Sequence, residues 1–505
     1  MSHGSLMRTK SIEQSIRDTE APEHQLKKDL GALDLVIFGV GVVIGAGIFV
    51  LTGQAAATNA GPAIALSFLL AAVACGFAAL CYAEFASTVP VAGSAYTFSY
   101  ATFGELIAWT IGWDLILEFT VGSAALASGF SGYLGNLLDG TPFALPAQLS
   151  SAATGVVDLP AMVISFVVMG VLILGIKLSS MINQVIVAIK LAVVAIVILA
   201  GIGYVSASNY SPFIPPSAPT GGTEGSSFWN TPLIQSLLGL EPAVYGFAGV
   251  VSAAAIVFFA FIGFDVVATT AEEARNPQRD VPIGILGSLA IATVLYMAVS
   301  LIITGMQNYS DIDPEDGAPL ATAFDAVGVP WLGNVVAIGA CIGLTVVVMI
   351  LMLGQTRVAF AMARDGLLPR GLARVHPTYG TPYRITLVTG TAVALISGFV
   401  DLTTLANLVN IGTLFAFILV SIGVVLLRRS RPDLPRAFRV PAAPVVATLA
   451  TILCLYLMLN LTGETWARFV IWMAIGFIVY FAYSRSHSRL ETERDADPGS
   501  RSTAK

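Results

Sequence analysis

Two glycine-containing stretches inside apolar sequence have the residue types to bind a small charged ligand through main-chain atoms. IGAGIF occupies residues 44–49, and FFAFIGFD occupies residues 258–265 and ends on the ionisable Asp265. A glycine inside a helix costs roughly 1 kcal/mol relative to alanine, so these positions predict broken helices. A break leaves free amides at the start of one half-helix, which suit a carboxylate, and carbonyls at the end of the other, which suit an ammonium group. The pair of stretches therefore favours a zwitterion such as an α-amino acid.

The first stretch has two other interpretations. Gly41 and Gly45 form a GxxxG pattern, which often marks close helix packing. The matching break in the second stretch makes packing alone the weaker interpretation. A nucleotide-binding loop is excluded because no third glycine follows at the required spacing and no strand precedes the stretch.

Ionisable residues within the apolar runs are the next candidates. Lys190 lies in QVIVAIKLAVVAIVILA, Glu118 lies in an earlier run, and Asp265 follows the second glycine stretch. Ionisable groups inside a membrane are costly and usually functional. Because burial favours the neutral amine, Lys190 is expected to bind and release a proton within the physiological pH range. Glu118 and Asp265 could pair with Lys190, form a proton path or neutralise a cationic ligand, and the sequence leaves these open. Asp114 and Glu105 are weaker candidates because they lie nearer the inner half of their run.

The composition is that of a protein embedded in lipid. Of 505 residues, 56% are hydrophobic and 11% are charged, whereas a soluble domain carries about 25% charged residues. The four histidines lie outside the apolar runs, and the four cysteines lie inside them at no metal-binding spacing. We therefore expect an all-α integral membrane protein with no catalytic residues, no metal, no cofactor and no nucleic-acid partner.

Twelve apolar runs are long enough to cross a bilayer, which takes about 20 residues. They lie near residues 32–59, 62–86, 105–137, 159–176, 181–204, 244–273, 282–306, 331–362, 384–400, 404–427, 442–461 and 466–484. We number them spans 1 to 12. This predicts one transmembrane domain, 32–484, between an N-terminal tail, 1–31, and a disordered C-terminal tail, 485–505.

The distribution of positive charge predicts the orientation. All but three of the 25 lysines and arginines fall in the tails or in alternate connections. Positive charge concentrates on the cytoplasmic side, so both termini are expected in the cytoplasm and the protein in the plasma (inner) membrane. On that inner side, an ion-pair network is expected among Glu84, Glu272, Glu273, Arg275 and Arg279.

The two glycine stretches occupy equivalent places in two halves of the chain. Spans 1–5, about 32–205, and spans 6–10, about 244–427, each begin with an interrupted helix. An odd number of spans per half inserts the second half upside down relative to the first. This arrangement predicts an inverted-repeat transporter with its site at the bilayer midplane.

Four motifs resemble the amino acid-polyamine-organocation superfamily, and within it the bacterial cationic amino acid transporter family. They are IGAGIF (44–49), AEFASTVPVAGSAYTFSYATFGE (83–105), FFAFIGFDVVATTAEEARNPQRDVPIGI (258–285) and RVAFAMARDGLLP (357–369). The resemblance covers roughly residues 27–485. It implies a leucine-transporter-like five-plus-five fold with broken helices 1 and 6, and with helices 11 and 12, about 442–484, outside the repeat.

The resemblance also implies roles for individual residues. The amides of Gly45, Ala46 and Gly47 would hold a substrate carboxylate, and Phe259 would be an aromatic gate. In similar members, a lysine of span 5 fills the space where related transporters bind sodium. Lys190 would be that lysine in this chain. The carbonyls that would hold the amino group are those of Val43, Ile44, Phe259, Ala260 and Ile262.

The resulting expectation is a secondary active amino acid permease. Uptake would be proton-coupled and sodium-independent, with cationic or small neutral L-amino acids as substrates; the alternative is exchange of a polyamine or γ-aminobutyrate. A major-facilitator protein is disfavoured because the connection between spans 2 and 3, residues 87–104, has no lysine or arginine. Membrane lipid surrounds such a protein, and whether a single-helix partner or a second copy binds it is left open.

Overall fold

The computed structural model describes residues 30–88, 94–175, 180–219, 228–240, 243–269, 274–434, 436 and 438–489. The predicted tails lie almost wholly outside these residues. Within them the chain is mostly helical, as predicted. Eight helices are long and apolar enough to cross a bilayer, and four apolar helices are shorter: Ala32–Val43, Leu159–Ile173, Tyr383–Phe399 and Ala443–Leu459. The number of spans and the division into two inverted repeats stay predictions.

The helices follow the apolar runs closely. Spans 1 to 5 contain Ala32–Val43 with Thr52–Ala55, Ile64–Thr88, Glu105–Leu138, Leu159–Ile173 and Ser180–Gly201. Spans 6 to 12 contain Gly246–Val257 with Phe264–Thr269, Pro277–Met306, Pro330–Arg364, Tyr383–Phe399, Leu402–Ser430, Ala443–Leu459 and Gly463–Val479. In hydrocarbon every backbone polar group needs an internal partner, and a helix supplies one for each residue in its interior.

Several connections hold short elements of their own. Helices Ser94–Thr102, Leu233–Leu238 and Pro319–Ala326 lie between spans, and a two-stranded antiparallel ribbon pairs β1, Ala218–Pro219, with β2, Ala243–Val244. The helix Ser94–Thr102 lies where the sequence predicts only a connection between spans 2 and 3. This helix is only moderately apolar and is too short to cross a bilayer, so the pattern of apolar runs did not reveal it.

The helix starts follow local chemistry. The side chains of Asp158, Asp401 and Thr462 accept hydrogen bonds from amides in the first turns of spans 4, 10 and 12. Span 7, Pro277–Met306, and span 8, Pro330–Arg364, each begin with proline, whose missing N–H costs nothing at that position. These caps fix where the spans begin and therefore the depth of the residues within them.

Span 3, Glu105–Leu138, is the central helix of the bundle. It packs along span 8 and span 10, and its other side contacts span 12. The span 12 contact is aromatic and hydrogen-bonded. The rings of Trp109, Trp113 and Trp472 stack with centroid distances of 5.4 and 4.6 Å, and the indole N–H of Trp109 donates to the carbonyl of Gly476. Span 12 therefore supports the helix that carries Glu118 through these ring and hydrogen-bond contacts.

An ion-pair cluster ties span 2 to the connection after span 10. The carboxylate of Glu84 accepts from Nε of Arg428 at 2.7 Å and from the amide of Val440 at 2.7 Å, and Nε of Arg436 lies 3.6 Å away. The prediction that Glu84 belongs to a network with Arg275 and Arg279 was wrong about its partners, because the sequence does not show which of several distant arginines the fold brings to this carboxylate. Glu272 and Glu273 lie outside the described residues.

Candidate substrate site between two broken helices

Span 1 is interrupted where the sequence predicts a break. The helix Ala32–Val43 ends at Ile44, whose backbone is extended with ψ 96°. The next helical hydrogen bonds run from the amides of Ile48 and Phe49 to the carbonyl of Gly45, both at 3.2 Å. The amides of Gly45, Ala46 and Gly47 thus precede the first closed turn of the outer half-helix. Amides in that position have no acceptor within their own helix and are suited to an anion.

The outer half of span 1 continues as a wide helix. Residues Gly47–Leu51 are π-helical, a geometry that recurs at functional sites. Two side chains bind carbonyls along it: the hydroxyl of Tyr133 donates to the carbonyl of Phe49 at 2.6 Å, and that of Thr52 donates to the carbonyl of Gly47 at 3.2 Å. The backbone next to the break is therefore held in place by neighbouring side chains.

Span 6 is interrupted at Ile262 and Gly263. The helix Gly246–Val257 tightens into a 3₁₀ turn, Phe258–Phe261, and then Ile262 is extended with ψ 138°. Gly263 has φ 110°, a conformation that side chains disfavour, and a Cβ there would lie 2.6 Å from a methyl group of Val42. Glycine is thus required at this position both by its backbone angle and by the approach of span 1.

The two breaks face each other. A Cβ built on Gly47 would overlap the Cα and Cβ of Ala260 and lie 2.8 Å from its backbone nitrogen. Sequence separation between these positions exceeds 200 residues, so the two half-helix ends meet only in the folded chain. The start of the outer half of span 1 therefore lies against the 3₁₀ turn of span 6, and the binding of a carboxylate and an ammonium group there stays a prediction.

Tyr296 of span 7 joins the two breaks. Its hydroxyl oxygen lies 2.7 Å from the carbonyl of Val43 and 2.7 Å from the carbonyl of Ala260. A hydroxyl has one hydrogen, so it donates to one of these carbonyls at a time. Sequence reasoning missed this residue; the available signal was a lone tyrosine in the apolar run IATVLYMAVS.

Replacing Tyr296 with phenylalanine should loosen the contact between the breaks. The carbonyls of Val43 and Ala260 would lose the one donor that they share, and an unsatisfied buried polar group costs about 1–3 kcal/mol. We expect a lower melting temperature of the purified protein and about tenfold slower uptake, equivalent to ~1.4 kcal/mol.

Tyr210→Phe is the matched control for that substitution. The hydroxyl of Tyr210 also donates to a carbonyl, that of Leu301 at 2.7 Å, but away from the breaks. Uptake by Tyr210→Phe should stay close to that of the unmodified protein. If Tyr296→Phe behaved like Tyr210→Phe, the bridge would have no functional role.

Lys190 of span 5 binds the inner half of span 1. Its side chain is 1% exposed, and Nζ donates to the carbonyl of Gly41 at 2.7 Å and to that of Ile44 at 3.0 Å. Its methylene stem packs against Gly343 of span 8, where a Cβ would lie 2.9 Å from Cε of the lysine. The side chain of Lys190 thus extends from span 5 into the space between spans 1 and 8. Its ammonium group lies at the end of the inner half of span 1, where the helix carbonyls carry partial negative charge.

The carbonyls assigned to the substrate amino group already have donors in part. Val43 faces the Tyr296 hydroxyl, Ile44 faces Lys190, and the carbonyl of Phe259 accepts from the amide of Ile262 at 3.2 Å. Each carbonyl oxygen has a second lone pair, so each can accept a further hydrogen bond. The assignment remains a prediction for all of the proposed carbonyls.

A cavity of about 20 Å³ lies at the breaks. A single water needs about 10–15 Å³ by this kind of measure, so the cavity must widen before an amino acid fits. The eleven described residues that line it are all apolar or glycine: Val42, Val43, Gly45, Ala46, Gly47, Gly122, Leu126, Phe259, Ile262, Val347 and Leu351. Phe259 is among these lining residues, and its role as a gate stays a prediction.

The acidic candidates lie along one face of span 3. Asp114, Glu118 and Gly122 are four residues apart, so they follow one another along a helix face that reaches the cavity at Gly122. Asp114 and Glu118 are both buried, and Glu118 lies one turn from the cavity. Within the described part of the chain, neither carboxylate oxygen of Asp114 has a hydrogen-bond partner. The side chain of Asp265 lies outside the described residues.

Comparisons with known proteins identify relatives along nearly the whole chain. The family model for amino acid permeases matches residues 30–482. The chain is 46% identical to a branched-chain amino acid permease, BcaP, of Bacillus subtilis, and 44% identical to a methylthioribose transporter of the same organism. Both alignments cover 96% of this chain and 99% of the relative. It is 40% identical to the vacuolar cationic amino acid transporter 2 of Arabidopsis thaliana, over 85% of this chain and 64% of that protein.

These matches are to transporters and not to enzymes, and they span nearly the whole chain. Together with the apolar helices, they make this a multi-pass membrane protein whose substrates are small molecules of the amino acid class. The chain belongs to the amino acid permease family of the amino acid-polyamine-organocation superfamily.

Proposed function

We propose that this permease takes up L-amino acids with small or branched aliphatic side chains, driven by the proton gradient and without sodium. The observation that carries the proposal is the direct apposition of the two helix breaks, Gly47 against Ala260, beside one cavity. The substrate carboxylate binds the amides of Gly45, Ala46 and Gly47. The ammonium group binds carbonyls on the span 6 side, from Phe259, Ala260 and Ile262, next to those of Val43 and Ile44.

The choice of an aliphatic side chain rests on the cavity wall. Its described lining offers methyl and methylene groups from Leu126, Val347 and Leu351 and no charged side chain. A lysine or arginine side chain placed there would lose its hydration without a partner, and burying an unpaired charge costs several kcal/mol. Relatives are named for both branched-chain and cationic amino acids, so the names alone do not decide which side chains this permease accepts. The wall favours the neutral substrates over the cationic ones.

Proton coupling is assigned to Lys190, with Glu118 and Asp265 as further proton sites. A charged Lys190 holds span 1 through the carbonyls of Gly41 and Ile44. A neutral amine is a weaker donor and releases that half-helix, so loss of a proton favours opening. The same ammonium group occupies the space that a sodium ion would need. We place the protein in the plasma membrane with both termini in the cytoplasm.

Uptake into proteoliposomes tests the proposed function. Purified protein is reconstituted, and labelled leucine, valine, alanine, arginine, γ-aminobutyrate and methylthioribose are compared with and without a pH gradient and with sodium or choline outside. Accumulation of aliphatic amino acids that needs the pH gradient and not sodium is expected. Transport of methylthioribose without any amino acid, dependence on sodium, or uptake only into vesicles preloaded with amine would overturn the proposal.

A substitution at Gly122 tests the position of the substrate side chain. A Cβ there would lie 3.2 Å from a methyl group of Leu351, within the cavity wall. In Gly122→Ala we expect alanine uptake to stay within about threefold of the unmodified protein and leucine uptake to fall at least about tenfold, or ~1.4 kcal/mol. Gly135→Ala is the control, because a Cβ at that position of the same helix meets nothing within 4 Å. An equal loss for both substrates would contradict the assignment.

A further inference from the structure

A second, much larger cavity lies on the arginine-rich inner side and shares no described lining residue with the cavity at the two breaks. Its volume is about 940 Å³, at the upper end of the range for ligand sites, roughly 300–1,000 Å³. It lies at the beginning of span 7, Pro277–Met306, and beside the connection from span 10 to span 11. The lining residues that matter are Arg275, Arg279, Pro282, Ile283, Leu286 and Phe438.

One end of this cavity is positively charged. Arg275 and Arg279 are exposed and both line it. The backbone at Arg275 is held by a hydrogen bond from its amide to the carbonyl of Leu30 at 2.8 Å. The nearby carboxylate of Asp280 is mostly buried and accepts from the amide of Asn276, the residue before the helix, at 3.2 Å. Two arginines four residues apart that line one cavity can together bind the oxygens of one phosphate group.

The other end is apolar and partly exposed. Arg279, Ile283 and Leu286 are spaced four and three residues apart, so they share one face of span 7. Leu286 lies about 10 Å deeper than Arg279 at 1.5 Å per residue. Ile283 is 41% exposed, and Phe438 covers the cavity from the neighbouring connection. The cavity thus changes from charged to apolar along the direction in which a lipid lies in a bilayer.

We propose that this cavity binds an anionic phospholipid of the inner leaflet. Its phosphate contacts Arg275 and Arg279, and the first part of an acyl chain lies along Ile283 and Leu286. Basic pockets at the cytoplasmic ends of helices are suited to anionic headgroups, and free phosphate would leave the apolar wall without a partner. This inference does not depend on which amino acid is transported.

The position of the cavity connects it to the transport machinery. At Gly287, also in the lining, a Cβ would lie 2.9 Å from a methyl group of Val36. Val36 belongs to the inner half of span 1, the same helix that Lys190 holds at its other end. Span 7 therefore separates a bound lipid from the inner half of span 1, the half-helix that has to move during transport.

Melting of the purified full-length protein in detergent tests the lipid site. Phosphatidylglycerol, phosphatidylethanolamine and inorganic phosphate are titrated separately against the unmodified protein, the double variant Arg275→Gln/Arg279→Gln and the control Arg370→Gln/Arg374→Gln. The control removes the same charge from an exposed pair elsewhere on the inner side. Stabilisation by phosphatidylglycerol is expected in the unmodified protein and the control, with at least fivefold weaker apparent affinity in the double variant.

Two outcomes would overturn the lipid site. One is equal stabilisation of the double variant and the control by phosphatidylglycerol. The other is full stabilisation by inorganic phosphate, which would indicate an anion site without a lipid. Leu286→Ser tests the apolar part of the site independently. It should weaken phosphatidylglycerol binding although both arginines remain. An unchanged lipid affinity in Leu286→Ser would also contradict the proposal.

Discussion

Gly47→Ala is expected to reduce amino acid uptake about 100-fold or more. The added methyl group would overlap the Cα and Cβ of Ala260, and main-chain atoms cannot rotate away as a flexible side chain can. The two breaks would have to separate, and a misplacement of about 1 Å in a binding site can cost 100-fold in rate. The carbonyl of Ala260 also lies 2.7 Å from the hydroxyl of Tyr296, which restricts its movement. The measurement is initial uptake of labelled leucine in proteoliposomes.

Gly76→Ala is the matched control for Gly47→Ala. Gly76 lies within the helix Ile64–Thr88, and a Cβ there meets nothing within 4 Å. Alanine is the better helix former by about 1 kcal/mol, so this variant should be at least as stable as the unmodified protein. Size-exclusion profiles of both variants distinguish lost function from lost folding. Uptake by Gly47→Ala within about threefold of the control would contradict a substrate site at the breaks.

Lys190→Met should abolish accumulation driven by a pH gradient. Methionine keeps most of the buried volume but removes both hydrogen bonds to the carbonyls of Gly41 and Ile44. Those carbonyls would be left without this donor inside the membrane, where an unsatisfied polar group costs several kcal/mol. We expect uptake to fall at least about 30-fold, or ~2 kcal/mol, and the residual rate to be insensitive to the gradient. The measurement is uptake at several external pH values with a fixed internal pH.

Lys190→Arg separates the structural role of the charge from proton exchange. Arginine remains protonated in proteins, so it can hold span 1 but cannot release its proton. We expect Lys190→Arg to bind substrate, detected as ligand-dependent stabilisation, without gradient-driven accumulation. Intact gradient-driven uptake in Lys190→Met would remove Lys190 from the coupling mechanism.

The sequence predicts the positions of the breaks because they depend on local chemistry. Gly263 is needed for its positive φ, and the glycines at 45 and 47 lie at the interruption of span 1. Lys190 stands out for the same local reason, since a lysine is costly within an apolar run. These features can be identified from a single segment of chain without knowing what packs against it.

What sequence reasoning missed depends on residues distant along the chain. Tyr296 is one tyrosine among 14, and only the fold shows that its hydroxyl lies between two particular carbonyls. The ion pair of Glu84 with Arg428 joins residues 344 positions apart. The apolar lining of the cavity likewise combines spans 1, 3, 6 and 8, so substrate preference could not be narrowed from motifs alone.

The tryptophan stack between spans 3 and 12 has a consequence for spectroscopy. Trp109, Trp113 and Trp472 are half of the six tryptophans in the chain, and their rings are in contact with one another. A substantial part of the ultraviolet emission will therefore come from this stack, which lines neither break, and we expect that part to change little when a ligand binds. A fluorescent reporter of binding has to be introduced near the broken helices, and the native stack then provides an internal reference signal.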